Sequence, residues 1–149
     1  AYTNNTFVGI AQVSNHILPR SHIYAAPGYY AITPSIYKEL GTPSFTETYR
    51  SDTAEEISYI AEERGKRYRA LMPTYFTREP GEGAWPLSNL GYYGVGTVFD
   101  DTVYHLFQSR LAENVQLFVD VCDQVIAGTF TTDNLIPSTT FSFKGKTVA

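Results

Sequence analysis

Four cationic side chains lie within six consecutive residues, and together they have the chemistry of a phosphate contact. They are Arg64, Lys66, Arg67 and Arg69, four of the eleven lysines and arginines in the chain. Such groups neutralise a nucleic-acid backbone, and Tyr68 between them can stack on a base. The same cations equally suit the C-terminal end of a helix, where they offset the helix dipole. The neighbouring acids Glu62 and Glu63 favour this second interpretation.

The histidines do not form a pattern typical of a metal or catalytic site. His16 and His22 are separated by Pro19, which is not a helical ligand spacing. Asp101 and His105 are four residues apart, so they predict a helix pair that either caps the helix or orients an imidazole for general-base work. We therefore expect no catalytic residue, no metal and no cofactor.

Aromatic residues make up 15% of the chain, with twelve Tyr and nine Phe. Tyr and Phe bury a large area with few rotatable bonds, which is typical of interfaces between proteins. The predicted interface anchors lie in segments that read as arms or loops: Tyr29, Tyr30, Tyr75, Trp85, Tyr92 and Tyr93.

Two shorter segments carry helix signals. Thr33 predicts an N-cap with a proline at the next position, and Gly41 predicts the end of that helix. A second helix is predicted to begin at a cap on Ser51 or Asp52 and to stop before Pro73.

A third and longest helix is predicted to begin at a cap on Asp100 or Asp101 and to end at Gly128. Its apolar residues follow helical spacing and, in the second half, occupy nearly all sides. This pattern indicates burial from more than one direction, and a neighbouring subunit is one candidate for such a direction.

These elements predict a mainly α fold with a helical bundle core of three to four helices. We expect a single domain over 1–149, with extended arms at 1–30 and 129–149 and a long aromatic loop at 73–99. The alternation of Thr140 to Phe143 suits a short strand in the second arm. An α+β fold is the alternative.

Composition excludes several classes of protein. The net charge of −4 and pI near 5.3 argue against a broadly basic nucleic-acid surface. The single Cys122 excludes an intrachain disulfide framework and a cysteine-based zinc site. No apolar run approaches the roughly 20 residues that span a bilayer, so we expect no membrane span.

Several segments resemble the coat proteins of rod-shaped plant viruses of the tobacco mosaic type. The chain begins Ala-Tyr-Thr, and residues 40–50 hold a Leu-Gly followed by Phe, Thr-rich residues and Arg. Residues 99–102 read Phe-Asp-Asp-Thr and open the predicted last helix, and residues 128–130 read Gly-Thr-Phe before a Ser/Thr-rich tail.

The resemblance implies an antiparallel four-helix subunit that stacks into a helical tube around single-stranded RNA, and therefore a location in the virion. The RNA contacts of that family cluster near the loop and the last helix. Arg78 and Arg110 are the residues of this chain that would take those places.

The sequence thus favours a non-enzymatic structural subunit of a virion, filament or tube. It would associate with itself, as a homo-oligomer or a helical array, through its aromatic arms and loop, with or without single-stranded RNA. Two alternatives stay open. One is a small enzyme or ligand-binding domain with an aromatic pocket and His105 as the base; the other is an accessory subunit of a heteromeric complex.

Overall fold

The computed structural model describes residues 7–16 and 22–139, so the predicted strand at Thr140 to Phe143 lies outside the described residues. The chain divides into two compact units, Ala1–Met72 and Pro73–Ala149. Of the described residues, 23% are helical and 28% lie in strands.

The first unit holds a three-stranded sheet and two helices. Strands β1 (Val8–Val13), β2 (Ile23–Ala31) and β3 (Arg69–Leu71) are arranged in the order β2-β1-β3. Strand β1 is antiparallel to β2 and parallel to β3. The helices are α1 (Pro34–Glu39) and α2 (Glu55–Glu63).

The core of the first unit forms where helix α2 and the turn after α1 meet the sheet. Its buried members are Phe7, Ala25, Leu40, Ile57 and Ala61. The Phe7 ring is 1% exposed, and its centroid lies 5.6 Å from that of Tyr30 and 5.0 Å from that of Tyr68. Burial of these rings supplies much of the apolar area that holds this unit together.

The second unit is built from short antiparallel strands and one helix. The strands are β4 (Pro73–Phe76), β5 (Ala84–Pro86), β6 (Tyr92–Gly94), β7 (Thr97–Phe99), β8 (Val103–His105) and β9 (Ile136–Pro137). Four of them form a sheet in the order β8-β7-β4-β9, and β5 and β6 pair as a separate ribbon. The helix is α3 (Ala112–Ile126).

An aromatic cluster fills the interior beside the β5–β6 ribbon. The ring centroids of Trp85 and Tyr93 are 6.0 Å apart, and Tyr93 lies 5.6 Å from Phe107. Phe107 also contacts Phe99, which is fully buried. Residues 73–99, expected to be a long loop, therefore hold strands β4 to β7.

The prediction of a mainly α helical bundle is wrong, and the described residues form the α+β alternative. Asp100 and Asp101 do not cap a helix: their φ angles of 49° and 57° make them the turn between β7 and β8. Val103–His105 then pairs with Thr97–Phe99 as an antiparallel hairpin. β-branched and aromatic residues fit that pleated surface better than the first turns of a helix. The four-helix subunit that the family resemblance implies is accordingly not the fold of these residues.

The local signals for helices α1 and α2 agree more closely with the structure. Thr33 is the N-cap of α1 and accepts a hydrogen bond from the backbone N–H of Ile36. Helix α2 is shorter than predicted and begins after Ala54, a left-handed residue with φ 62°, without a side-chain cap. The chain leaves α2 at Arg64 because Gly65, with φ 65°, ends it. Residues from Arg69 onward join the sheet as β3.

Candidate functional site

Helix α3 carries an apolar stripe that is exposed to solvent. Its members recur at three- and four-residue spacing, so they fall within an arc of about 120° on the helix surface. The stripe consists of Val115, Phe118, Val119, Cys122, Val125 and Ile126. Exposure of these side chains ranges from 41% for Phe118 to 84% for Ile126, apart from the half-buried Cys122. A soluble monomer rarely leaves a contiguous apolar patch of this kind uncovered, so the stripe is a candidate interface.

A neighbouring, narrower face attaches α3 to the rest of the second unit. Asn114 and Val121 are its buried residues. The Asn114 side chain donates to the carbonyl oxygen of Gln108 over 3.1 Å and accepts a long 3.4 Å hydrogen bond from Arg78. The ring of Phe118 stacks on Tyr104 with centroids 5.8 Å apart. The helix is therefore anchored by one edge, and the stripe beside that edge remains open.

The remaining face of α3 is polar and acidic. Glu113, Asp120 and Asp123 lie there, and Gln116 donates to Asp120 over 2.8 Å. Between Ala112 and Ile126 the sequence contains no lysine or arginine. The helix thus combines an exposed apolar face with a negatively charged one.

A second notable cluster, in the first unit, is centred on Glu55, whose side chain is fully buried. Its Oε1 lies 2.5 Å from Nδ1 of His22, and its Oε2 accepts from the Ser14 hydroxyl and from the backbone N–H of Asp52, both over 2.7 Å. The other ring nitrogen of His22, Nε2, lies 3.0 Å from Oε1 of Glu62. A buried carboxylate needs this many donors to compensate for lost hydration.

The geometry favours the protonated form of His22. Carboxylates only accept hydrogen bonds, and a neutral imidazole has one N–H, so both contacts are satisfied only by the protonated ring. Burial by itself would lower the pKa of His22, but its hydrogen bonds to Glu55 and Glu62 outweigh burial and raise the pKa above its usual value. Burial likewise works against the charged form of Glu55, but His22, the Asp52 N–H and Ser14 hold its pKa below the usual value.

This arrangement of Glu55, His22, Ser14 and Glu62 is a charged clamp that ties helix α2 to the ends of strands β1 and β2. Both nitrogens of His22 are engaged by carboxylates, and Ser14 bonds to Glu55, so neither group is set to activate the other as a nucleophile. Glu55 and Glu62 contact opposite sides of the ring and do not converge on a point. Among residues 7–16 and 22–139, no group of three or more His, Cys, Asp or Glu is placed to hold a metal ion.

Beside the clamp, the Tyr59 ring stacks on His22 and the Arg50 guanidinium lies over Tyr59. The centroids of the Tyr59 and His22 rings are 4.1 Å apart, and the guanidinium carbon of Arg50 lies 5.0 Å from the centre of the Tyr59 ring. Arg50 also forms a 2.7 Å ion pair with Glu56 and a second one with Glu63. Hydrogen bonds from Arg50 lower the pKa of Glu56 despite its partial burial. Sequence reasoning missed this network, because its partners are far apart in the chain and share no local pattern.

The predicted basic cluster is split by the fold. Arg64 donates to the backbone carbonyl of Glu39 over 2.7 Å, and Lys66 forms an ion pair with the side chain of Glu39. Arg67 is exposed in the segment after α2, and Arg69 lies in strand β3. Two of the four cations therefore hold α1. Phosphate binding by the cluster stays a prediction.

The other predicted cations lie in the second unit. Arg110 is exposed just before α3 and Arg78 bonds to Asn114. Arg78 lines a cleft of about 390 Å³ together with Glu82 and Glu113. The lining holds acids as well as a cation, so it does not single out a ligand charge.

The predicted aromatic anchors differ in exposure. Tyr29 is 43% exposed and Tyr93 only 6%, because Tyr93 belongs to the interior aromatic cluster. The others are half-buried: Tyr30, Tyr75, Trp85 and Tyr92. Their role in an interface stays a prediction.

His105 and His16 do not come together with a partner group. His105 lies in β8 against the edge of the Phe107 ring, 4.1 Å away between centroids. Burial lowers its pKa. It is no longer on a helix with Asp101, which stands in the preceding turn. The predicted helix pair is therefore wrong, whereas a role for His105 as the base of an enzyme stays a prediction.

Comparison with known proteins does not place this chain. No family model, no curated protein and no solved structure matches it. Within the described part of the chain, no helix has the length and apolarity that a membrane crossing requires.

Proposed function

We propose that this chain is a structural subunit of a larger assembly and that it associates with itself through the apolar stripe on α3. The observation that carries the proposal is the exposure of that stripe on a well-formed amphipathic helix. Removing such a surface from water stabilises an association by about 25 cal/mol per Å² of apolar area.

The aromatic side chains at the surface extend the same proposal. Tyr29, Phe45 and Tyr49 are exposed in the first unit, with Tyr49 at 89%. Single exposed aromatics are common, but several on one chain add contact area at the rim of an interface. These residues would provide further contacts in an assembly of more than two copies, such as a filament, tube or shell.

Single-stranded RNA is an optional component of the proposed assembly. Arg64 and Lys66 are engaged by Glu39, which leaves fewer cations for phosphate contacts. The acidic polar face of α3 repels a polyanion as well. Self-association through apolar side chains does not require RNA.

The test is light scattering coupled to size-exclusion chromatography over a range of protein concentrations. We expect the wild-type protein to exceed the monomer mass of 16.7 kDa increasingly as concentration rises. Val119→Lys should shift the protein toward monomer because it places a charge in the middle of the stripe. Gln124→Lys is the matched control, since it adds the same group to the polar face of the same helix.

A wild-type protein that stays monomeric at every concentration would overturn the proposal. Equal effects of the two lysine substitutions would show that charge, rather than the stripe, controls association. An absorbance ratio at 260 and 280 nm on the same peaks reports whether nucleic acid is bound.

A further inference from the structure

We propose that the partner of the apolar stripe is helix α3 of a second copy of the chain, packed antiparallel to the first. This inference rests on the proposed self-association. It adds which element each copy contributes and in which direction the two helices run.

The stripe is complementary to itself. Its residues recur as Val115, Phe118 and Val119, then Cys122, Val125 and Ile126, which is the same pattern repeated after seven residues. Two copies of such a pattern interdigitate as side-chain knobs into holes between helices. A two-fold contact of this kind uses the same patch on both copies and closes after two.

The number of apolar side chains in the stripe suits the centre of an interface of standard size. A standard interface buries about 800 Å² per partner, with an apolar core and a polar rim. Six apolar side chains over two heptads supply the core, and the neighbouring Gln116 and Asp123 supply rim. We therefore expect a reversible dimer rather than an obligate one.

The charge on α3 argues against a lipid surface as the occupant. Helices that lie on anionic membranes carry Lys and Arg on the polar face. Here the polar face carries Glu113, Asp120 and Asp123 and no cation. An anionic bilayer would repel this face while the stripe was inserted.

The distribution of charge also favours an antiparallel direction of the two α3 helices. The C-terminal end of a helix carries a partial negative charge, and the exposed Arg110 stands just before the N-terminal end of α3. In an antiparallel pair, Arg110 of each copy lies toward the partner's negative helix end. In a parallel pair, the two Arg110 residues would stand at the same end of the pair, next to two positive helix ends. Antiparallel packing also opposes the two helix dipoles.

Distances between spin labels test the direction. Ala112 and Asp123 lie on nearly the same side of α3, next to the stripe, and both are exposed. The background is Cys122→Ala, which keeps the stripe apolar and whose association is first compared with that of the wild type by light scattering. In this background, Ala112→Cys and Asp123→Cys are labelled separately with a nitroxide. Pulsed electron spin resonance then measures the distance between the two copies in each dimer.

The two label positions give different distances only in an antiparallel pair. With the two-fold axis at the middle of the stripe, the labels at 112 are about 25 Å apart along the helix axis and those at 123 about 8 Å. After the sideways separation is added, we expect the distance at 112 to exceed that at 123 by roughly 10 Å. A parallel pair gives equal distances.

The outcomes separate the two proposals. A longer distance at 112 supports antiparallel α3 pairing. Equal short distances, or a dimer whose label distances all exceed about 50 Å, overturn it and leave self-association standing. A wild-type protein that is monomeric by light scattering at every concentration overturns the proposed function itself.

Discussion

The Nδ1 atom of His22 lies 2.5 Å from Oε1 of Glu55, although 33 positions separate the two residues in the chain. Glu55 is fully buried and stands at the start of α2, whereas His22 immediately precedes strand β2. The contact therefore ties the entry into the sheet to the first turn of the helix that covers it. Because it joins two charges, it makes the stability of the first unit depend on pH.

His22 should make the first unit less stable as the pH rises above 6.5. Its pKa is higher in the folded protein than the ordinary value of 6.5, so its stabilising contribution is complete below pH 6.5. That contribution is lost as the pH rises through the folded-state pKa. Hydrogen exchange of the α2 amides between pH 5.5 and 9, corrected for intrinsic rates, measures the loss. His22→Gln should remove most of this slope. A wild-type slope that persists in the variant would contradict the assignment to His22.

Glu55→Gln should destabilise the first unit by about 2–3 kcal/mol. The substitution keeps the shape of the side chain but leaves His22 without its buried counter-ion, and breaking a buried pair is costly. Glu62→Gln is the matched control, because Glu62 is 42% exposed and an exposed ion pair contributes less than about 1 kcal/mol. Both values come from urea unfolding followed by far-ultraviolet circular dichroism at pH 6. Equal losses in the two variants would mean that burial of Glu55 does not matter.

Gly94→Ala should prevent normal packing of the β5–β6 ribbon. A Cβ at Gly94 would lie 2.0 Å from the carbonyl oxygen of Gly83 and 2.8 Å from Cα of Ala84, both backbone atoms, at a φ of 156°. We expect a loss above about 4 kcal/mol, at the upper end for single substitutions. Gly81→Ala, with φ 58° and open space around the added Cβ, should cost about 1 kcal/mol. Fluorescence of Trp85, which lies in the same ribbon, follows unfolding in both variants.

Arg110→Glu should weaken self-association about tenfold if the antiparallel pair forms, because two attractive contacts with helix ends become repulsive. Arg110→Lys should associate nearly as the wild type does. Sedimentation equilibrium at 50 mM and 500 mM salt measures both, and the difference should shrink at high salt as screening increases. An Arg110→Glu protein that associates as strongly as the wild type would contradict the contact of Arg110 with the partner's helix end.

Sequence patterns predicted those features that depend on neighbours a few residues apart. The N-cap at Thr33 is such a feature, since its bond reaches only to Ile36. The apolar periodicity of α3 is another, because three- and four-residue spacing is a local property. Within a single chain, the predicted burial of this helix from more than one direction is wrong, since α3 buries only Asn114 and Val121. Gly128, with φ 69°, stands just after α3 as the pattern indicated.

The prediction of a helix over residues 100–111 was wrong. Their apolar spacing fits a helix, but residues 103–105 pair with strand β7 instead. Val103 faces Phe99 and His105 faces Thr97 across a turn that Asp100 and Asp101 form with positive φ. A choice between helix and hairpin at such a segment depends on whether a neighbouring strand is present to pair with it. Local propensity is too weak to decide it.

The sequence by itself determined the helical periodicity of α3, the cap of α1 and the acidic, cysteine-poor composition. Tertiary structure alone decided that the stripe of α3 is exposed and that Glu55 is buried against His22 and Ser14. Burial depends on which distant segments cover a side chain, and hydrogen-bond partners 33 and 41 positions away leave no trace in local spacing. The sequence therefore predicted the helical spacing of the candidate interface but not its exposure. The charged clamp could not be predicted, because its residues meet only in the folded chain.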